Sequence, residues 1–216
     1  MKKIIFWLLG LSLLIAATIS ILSLKGSEMM GTSVYIVWII GVGGLIWLFR
    51  VPLEKILRKN RISFLIAGLV LTVLQSLLCA YPNTFSPNNF SLFSNMIPDL
   101  FSFVPWLFAW FILTWLVRFK RIEIFAMVGL QGIFFEGVWM LWKNPWYAIY
   151  LLPNAFFYIV MIYPSVLSLN KQGRDIPKWL RYFIGFAIPI ILGVAGVILR
   201  ESLGLPDYPM PQIWGS

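Results

Sequence analysis

The sequence predicts an all-α protein, a bundle of seven membrane-spanning helices that forms a single integral membrane domain over residues 1–216. The first observation behind this prediction is composition. Hydrophobic residues make up 60% of the chain and charged residues 12%, with a mean hydropathy of +0.87, whereas globular proteins are about half apolar and a quarter charged. The second observation is that apolar runs long enough to span a bilayer, about 20 residues, recur from one end of the chain to the other.

Seven apolar runs bounded by charged residues, proline or glycine are the predicted spans. They are Ile4–Leu24, Ser33–Phe49, Ile62–Tyr81, Ile97–Val117, Ile122–Trp142, Trp146–Leu169 and Leu180–Leu199. The second run, only 17 residues long, is at the lower limit for a span. The first run follows two lysines, as in a signal peptide, but it is longer than the apolar region of such peptides and no small-residue cleavage site ends it. We therefore expect it to remain as a helix.

The distribution of lysine and arginine predicts the orientation of these helices. Fourteen of the 17 basic residues precede the first span or follow the second, fourth and sixth spans, and only Lys25, Lys143 and Arg200 lie on the other side. Because cytoplasmic connections carry the excess of basic residues, we expect a cytoplasmic amino terminus, an external carboxyl terminus and a multi-pass protein of the cell membrane. The net charge of +9 then reflects topology and contact with membrane lipids as partners, and nucleic acid is not an expected partner.

The residue inventory excludes several kinds of chemistry. The chain has no histidine and a single cysteine, Cys79, so it has no Ser-His or Cys-His nucleophile pair, no histidine-ligated metal and no intramolecular disulfide. No GxxxxGK[ST] phosphate-binding loop occurs. The sequence therefore predicts no metal, no cofactor and no catalytic residue.

Four polar residues near the outer boundary are the predicted substrate-binding residues. Glu136, the one acidic residue well inside a predicted span, lies six residues before Trp142, about 9 Å below the outer boundary at 1.5 Å per residue. Asn154 and Gln75 lie about 12 Å and 9 Å below the same boundary. Asp99 stands above them at the outer start of the fourth span. Ionisable groups inside a membrane are costly and mark candidate functional sites.

Two glycines predict the direction of the Glu136 side chain. Gly129 and Gly132 precede Glu136 by seven and four residues and lie on the same face of the helix. Small residues allow close approach between helices, so we expect the carboxylate to point into the bundle. Pro153, in the next span, is expected to free a carbonyl oxygen near Ile149 and to add an acceptor to the same cavity.

Two interpretations of the polar residues remain open at this stage. Gln75, Asn154 and Glu136 either bond to one another and join helices, or line a polar cavity open to the outside. The first functional hypothesis is a non-enzymatic transporter-like carrier, or a subunit of a membrane assembly with other membrane proteins as partners. The second is an enzyme acting on a lipid or isoprenoid within the bilayer, with Glu136 as general acid or base. The shortage of catalytic groups favours the first.

Overall fold

In the computed structural model the described residues are 32–80, 92–138, 145–169 and 173–205, together with Leu141 and six residues between Gly10 and Thr18. Every named secondary-structure element among them is helical. This confirms the all-α prediction. An apolar chain in lipid forms helices because no water is present there to satisfy the amide and carbonyl groups of the backbone.

Seven α-helices, numbered in chain order, build the described part of the bundle. They are α1 Thr32–Leu48, α2 Arg50–Leu57, α3 Ile62–Ala80, α4 Leu92–Leu116, α5 Arg121–Gly132, α6 Leu151–Leu167 and α7 Lys178–Ser202. Two stretches are π-helical, Val37–Val42 within α1 and Ile133–Val138, which continues α5. A 3-10 helix, Pro145–Tyr150, leads into α6.

Four helices in the described ranges are long and apolar enough to cross a membrane, and they match the third, fourth, sixth and seventh predicted spans. Their apolar segments are Ile62–Ala80, Met96–Leu116, Ala148–Leu167 and Lys178–Ser202. Helix α1 matches the second predicted span and adds a fifth crossing if it is counted with α2, to which it is bent by 70°.

The other two predicted spans are not among these helices. The predicted span Ile122–Trp142 corresponds to α5 and its π-helical continuation, a segment that carries Arg121, Glu123 and Glu136. The predicted span Ile4–Leu24 lies mostly outside the described residues. The count of seven spans, and with it the location of the two chain ends on opposite sides, therefore stays a prediction.

The connections predicted to be cytoplasmic meet at one end of the bundle, here called the basic end. Arg121, at the start of α5, donates from Nη2 to Oε1 of Glu54 on α2 at 2.7 Å. Arg181, in the first turn of α7, donates from Nη1 to the carbonyl oxygen of Arg118 at 2.7 Å. Three separate connections are thereby joined, which is the arrangement expected of helices that alternate in direction.

A short backbone pairing fixes two of these connections to each other. Val117 and Arg174 form a parallel bridge, in which the Arg118 amide donates to the Arg174 carbonyl at 3.0 Å and the Arg174 amide donates to the Leu116 carbonyl at 2.9 Å. Gly173 has φ +92°, and a Cβ atom there would lie 2.6 Å from the carbonyl carbon of Val117. Only glycine suits both the conformation and the space.

Helix α4 is the centre of one half of the bundle, since it packs on α3 on one side and on α7 on the other. The approach to α7 is closest at Gly196, which lies so near the carbonyl oxygen of Phe101 that no Cβ atom fits between them. Pro105 stands four residues after Phe101 and has no N–H group, so this carbonyl lacks its usual helical donor. Helix α6 forms the other half by packing on α3, on α5 and on α1.

Gln131, fully buried on α5, joins three helices. Its Oε1 accepts from the indole nitrogens of Trp106 and Trp110 on α4 at 2.9 and 3.2 Å. Its Nε2 donates to the carbonyl oxygens of Gly185 and of the next residue on α7, at 2.9 and 3.0 Å. Pro189 follows Gly185 by four residues and cannot donate to that carbonyl. Gln131 therefore supplies the donor that proline removes.

Candidate solute-binding site

The four predicted site residues lie at the end of the bundle opposite the basic end. Gln75 is near the end of α3 and Asp99 is near the start of α4. Glu136 is in the π-helical continuation of α5, and Asn154 is in the first turn of α6. Three of them are buried, with exposed fractions of 2% for Gln75, 3% for Asp99 and 1% for Asn154, and Glu136 is partly buried.

Gln75 and Asp99 form a direct pair between α3 and α4. Gln75 Nε2 donates to Asp99 Oδ2 at 3.2 Å and to the Cys79 sulfur at 3.3 Å. Ser76, the next residue on α3, is 0% exposed, and its hydroxyl donates to Gln75 Oε1 at 3.5 Å. The last turns of α3 therefore present a polar surface to the start of α4.

Glu136 points into the bundle, as the glycine spacing predicted. The hydroxyl of Tyr158, on α6, donates to Glu136 Oε1 at 3.2 Å. Gly132 makes this approach possible, because a Cβ atom there would lie 2.6 Å from the carbonyl oxygen of Asn154 and 2.8 Å from Cδ2 of Tyr158. Gly129, one turn earlier, lies against Ala155. The small face of α5 thus fits directly on α6.

Asn154 bonds to α1, a helix on which the sequence predicted no site residue. The hydroxyl of Tyr35 donates to Asn154 Oδ1. The ring of Tyr35 also lies 5.7 Å from that of Tyr150 and 5.4 Å from that of Phe157, measured between ring centroids. Thr32, three residues before Tyr35, shares a hydrogen bond of 3.2 Å with the hydroxyl of Tyr150.

Packing joins the three hydrogen-bonded pairs into one group, here called the polar cluster. Tyr158, which donates to Glu136, also contacts the ring of Phe103 on α4, one turn after Asp99. Gly132, one turn before Glu136, lies against the carbonyl oxygen of Asn154. The direct bonds that one interpretation expected among Gln75, Asn154 and Glu136 are not observed, since each of these residues bonds to a different neighbour.

Three aromatic rings pack against Tyr158 of the polar cluster. Tyr158 makes edge-on contacts with Phe103 and Trp106, at centroid distances of 5.4 and 5.9 Å. Phe135 is stacked on Tyr158 at 6.2 Å with an angle of 13° between the ring planes. Aromatic faces carry negative electrostatic potential and attract cations, so rings and carboxylates together favour positive charge in this region.

One buried polar atom in the cluster has no partner among the described residues, the amide nitrogen Nδ2 of Asn154. A buried donor left without a hydrogen bond costs about 1–3 kcal/mol. Thr72, on α3 one turn before Gln75, likewise keeps an unpartnered hydroxyl within the described part of the chain. A buried group in this state indicates a position for water or for a bound molecule.

Both π-helical stretches lie beside the polar cluster. Ile133–Val138 contains Glu136, and Val37–Val42 begins two residues after Tyr35. Insertions of this kind occur frequently at functional sites in helices. Pro153 lies in the first turn of α6, directly after the 3-10 helix Pro145–Tyr150. The free carbonyl oxygen expected near Ile149 stays a prediction.

Tyr35, Tyr158 and Ser76 belong to the cluster but were not among the predicted site residues. Tyrosine is common near membrane interfaces, and serine is common wherever helices pack closely, so neither type stands out in an apolar run. A usable signal was helical spacing, because Tyr158 lies four residues after Asn154 on the same face of α6.

Comparison of the chain with protein-family models, with curated proteins and with solved structures finds no match in any of the three. The chemistry of the polar cluster is therefore the basis for assigning a function.

Proposed function

We propose that this chain is a multi-pass protein of the cell membrane, a small carrier whose polar cluster binds a polar solute from the outer side. The observation that carries the proposal is the unpartnered amide nitrogen of Asn154, 99% buried in a cluster to which other helices contribute the carboxyl groups of Glu136 and Asp99. Polar groups buried without partners are retained at a cost in stability, and a bound solute would complete their hydrogen bonding.

The polarity of the cluster defines the kind of solute. Glu136 and Asp99 offer acceptors or negative charge, and the surrounding aromatic faces also favour a cation. Asn154 Nδ2 offers a donor. The matching solute carries an ammonium group together with an oxygen acceptor. Choline, ethanolamine, glycine and betaine are small compounds of this class and serve as probes.

The test is the change in melting temperature of the purified protein in mild detergent when each probe is added. Ligands that bind the folded state alone raise its melting temperature. We expect at least one probe to stabilise the wild type. E136Q and D99N are expected to weaken that response by roughly 10- to 100-fold in ligand concentration, the equivalent of losing one charged hydrogen bond. E201Q is the matched control, because Glu201 is an exposed acid beyond the cluster at the end of α7.

Two results would contradict the proposal. The first is an absence of stabilisation by all four probes. The second is an equal response from the wild type, E136Q and D99N, provided that the variants remain folded by circular dichroism. If the protein instead co-purifies with a stoichiometric membrane protein and binds none of the probes, a role as an assembly subunit is the better description.

A second function, an enzyme acting on a lipid or isoprenoid, is favoured by one specific observation. Such chemistry requires a second acid near Glu136, and Asp99 is a second acid of the polar cluster, with an exposed fraction of 3%. One carboxyl could then donate a proton while the other accepts one. Lipid extracts from cells that express the wild type or E136Q at equal levels distinguish the two functions. A lipid species that disappears only in E136Q cells supports the enzyme, and identical extracts support the carrier.

A further inference from the structure

A groove between α5 and α7 opens to the side of the bundle. It has a volume of about 520 Å³ and is lined by apolar and aromatic side chains from both helices. Three lining residues are strongly exposed, Leu130 at 54%, Phe134 at 49% and Phe183 at 65%. The groove exists because α7 packs mainly on α4 and only lightly on α5. Its volume is within the range of about 300–1,000 Å³ that is usual for ligand sites.

The groove begins close to a positive charge. Tyr182 and Phe183, in the second turn of α7, line the end of the groove nearest to the basic end. Lys178, one turn earlier and exposed, has its ammonium nitrogen 5.8 Å from the centroid of the Tyr182 ring. The nearby acid Asp175 is turned to Arg181, at 3.4 Å. An apolar slot with a lysine at its membrane-surface end matches the two parts of a phospholipid.

We infer that this groove binds one molecule of an anionic phospholipid. An acyl chain lies between α5 and α7, and the phosphate contacts Lys178. Charge complementarity selects this occupant, because a lysine near the surface attracts anionic head groups and the lining offers an acyl chain nothing polar to displace. This site is separate from the polar cluster, so its existence does not depend on the proposed function.

The first measurement is a titration of the purified full-length protein with phosphatidylglycerol and with phosphatidylcholine of the same chain length, followed by native mass spectrometry. We expect the wild type to bind the first phosphatidylglycerol more tightly than the first phosphatidylcholine. K178Q is expected to lower the affinity for phosphatidylglycerol about fivefold, the effect of one surface lysine. K59Q is the matched control, since Lys59 is an exposed lysine between α2 and α3, away from the groove.

The second measurement uses a variant in which a larger side chain fills the groove. L130W is expected to abolish tight binding of the first lipid, because the indole occupies the space of the acyl chain. I191W adds the same ring at a site on α7 that is 62% exposed and does not line the groove, and it is expected to leave binding unchanged. Equal effects of K178Q and K59Q, or of L130W and I191W, would overturn the inference.

The wild-type protein provides a test that needs no variant. Phosphatidylglycerol with a photoreactive diazirine on its acyl chain is expected to label Leu130, Phe134 and Phe183 more strongly than the exposed residues Ile66 and Val70 of α3. Even labelling of both faces would contradict a specific site. Cross-linking that joins two copies of the chain through the groove, without lipid, would show that a second copy is the occupant.

Discussion

Gln131 is the residue on which the packing of three helices depends most directly. Its side-chain amide makes four hydrogen bonds, two to indole groups of α4 and two to carbonyl oxygens of α7. Each contact of this kind in a membrane protein contributes about 0.6 kcal/mol. A single side chain thus satisfies two buried indole donors and a carbonyl that Pro189 leaves without its own partner.

Q131L is therefore expected to lower the free energy of unfolding by about 2 kcal/mol, from four contacts of about 0.6 kcal/mol each. Leucine keeps most of the volume but leaves the polar groups of α4 and α7 unpaired. The measurement is denaturant-induced unfolding in detergent, monitored by tryptophan fluorescence. L130A, at the exposed neighbouring position, is the control and should have a much smaller effect. A Q131L protein as stable as L130A would contradict this role.

Among single residues, part of the polar cluster could be predicted from the sequence because of the chemistry of its side chains. Acids and amides are rare in apolar runs because they are costly there, so Glu136 and Asn154 were conspicuous. Gln131 has the same chemistry but was overlooked, because its importance comes from carbonyl groups that only the three-dimensional contact between α5 and α7 brings near. Tyr35 was missed because the relevant fact is its contact with Asn154, 119 residues away in the chain.

At the scale of elements, the α4–α5 and α6–α7 connections of the basic end pair with each other, and one glycine makes this pairing possible. Gly173 combines a left-handed backbone, φ +92°, with direct contact against Val117. Gly204, after the end of α7, has a similar conformation, φ +63°, but nothing lies within 4 Å of a Cβ atom there. A substitution at Gly204 therefore measures the cost of the left-handed backbone alone. A substitution at Gly173 adds the cost of steric overlap with Val117.

G204A is expected to destabilise the protein by about 1–2 kcal/mol, the cost of a left-handed conformation for an L-residue. G173A should cost more than G204A, because the added methyl group also displaces the chain at Val117 and breaks the bridge to Arg174. Melting temperatures measured side by side give the comparison, and limited proteolysis should cleave G173A faster in the connection. A smaller effect in G173A than in G204A would show that the bridge contributes little.

The prediction of elements succeeded where an apolar run was long and had clear ends. The spans predicted at Ile62–Tyr81 and Leu180–Leu199 correspond to α3 and α7, because charged residues lie just outside one or both ends. The π-helical stretches could not be predicted, since one additional residue leaves an apolar run apolar and its length within the ordinary range of a span. The 70° bend between α1 and α2 was also not predicted, although the charged residues from Arg50 onward marked the end of the span.

For the whole molecule, the orientation in the membrane depends on the side of the membrane on which the basic end lies. Three connections that contain arginine and lysine meet there, and the polar cluster is at the other end. The positive-inside rule predicts that the basic end is cytoplasmic. A cytoplasmic basic end would put the polar cluster on the outer side, as the proposed outward-facing site requires.

Single-cysteine labelling in intact cells tests the orientation. In a background in which Cys79 is replaced by alanine, S202C at the exposed end of α7 is expected to react with a membrane-impermeant maleimide. K59C, exposed between α2 and α3, should react only after the cells are permeabilised. The reverse pattern would make the polar cluster cytoplasmic, and labelling of both positions from outside would contradict the antiparallel arrangement.

Within the described part of the chain, helix α1 touches the rest of the bundle chiefly through α6. Its two main attachments are the hydroxyl of Tyr35 on Asn154 and the indole of Trp38 on the carbonyl oxygen of Phe157, at 3.0 Å. With respect to the described residues, a helix attached mainly to α6 can tilt with little change in the packing of α3, α4, α5 and α7. Such a tilt would withdraw the Tyr35 hydroxyl and leave a second side-chain atom of Asn154 without a hydrogen bond.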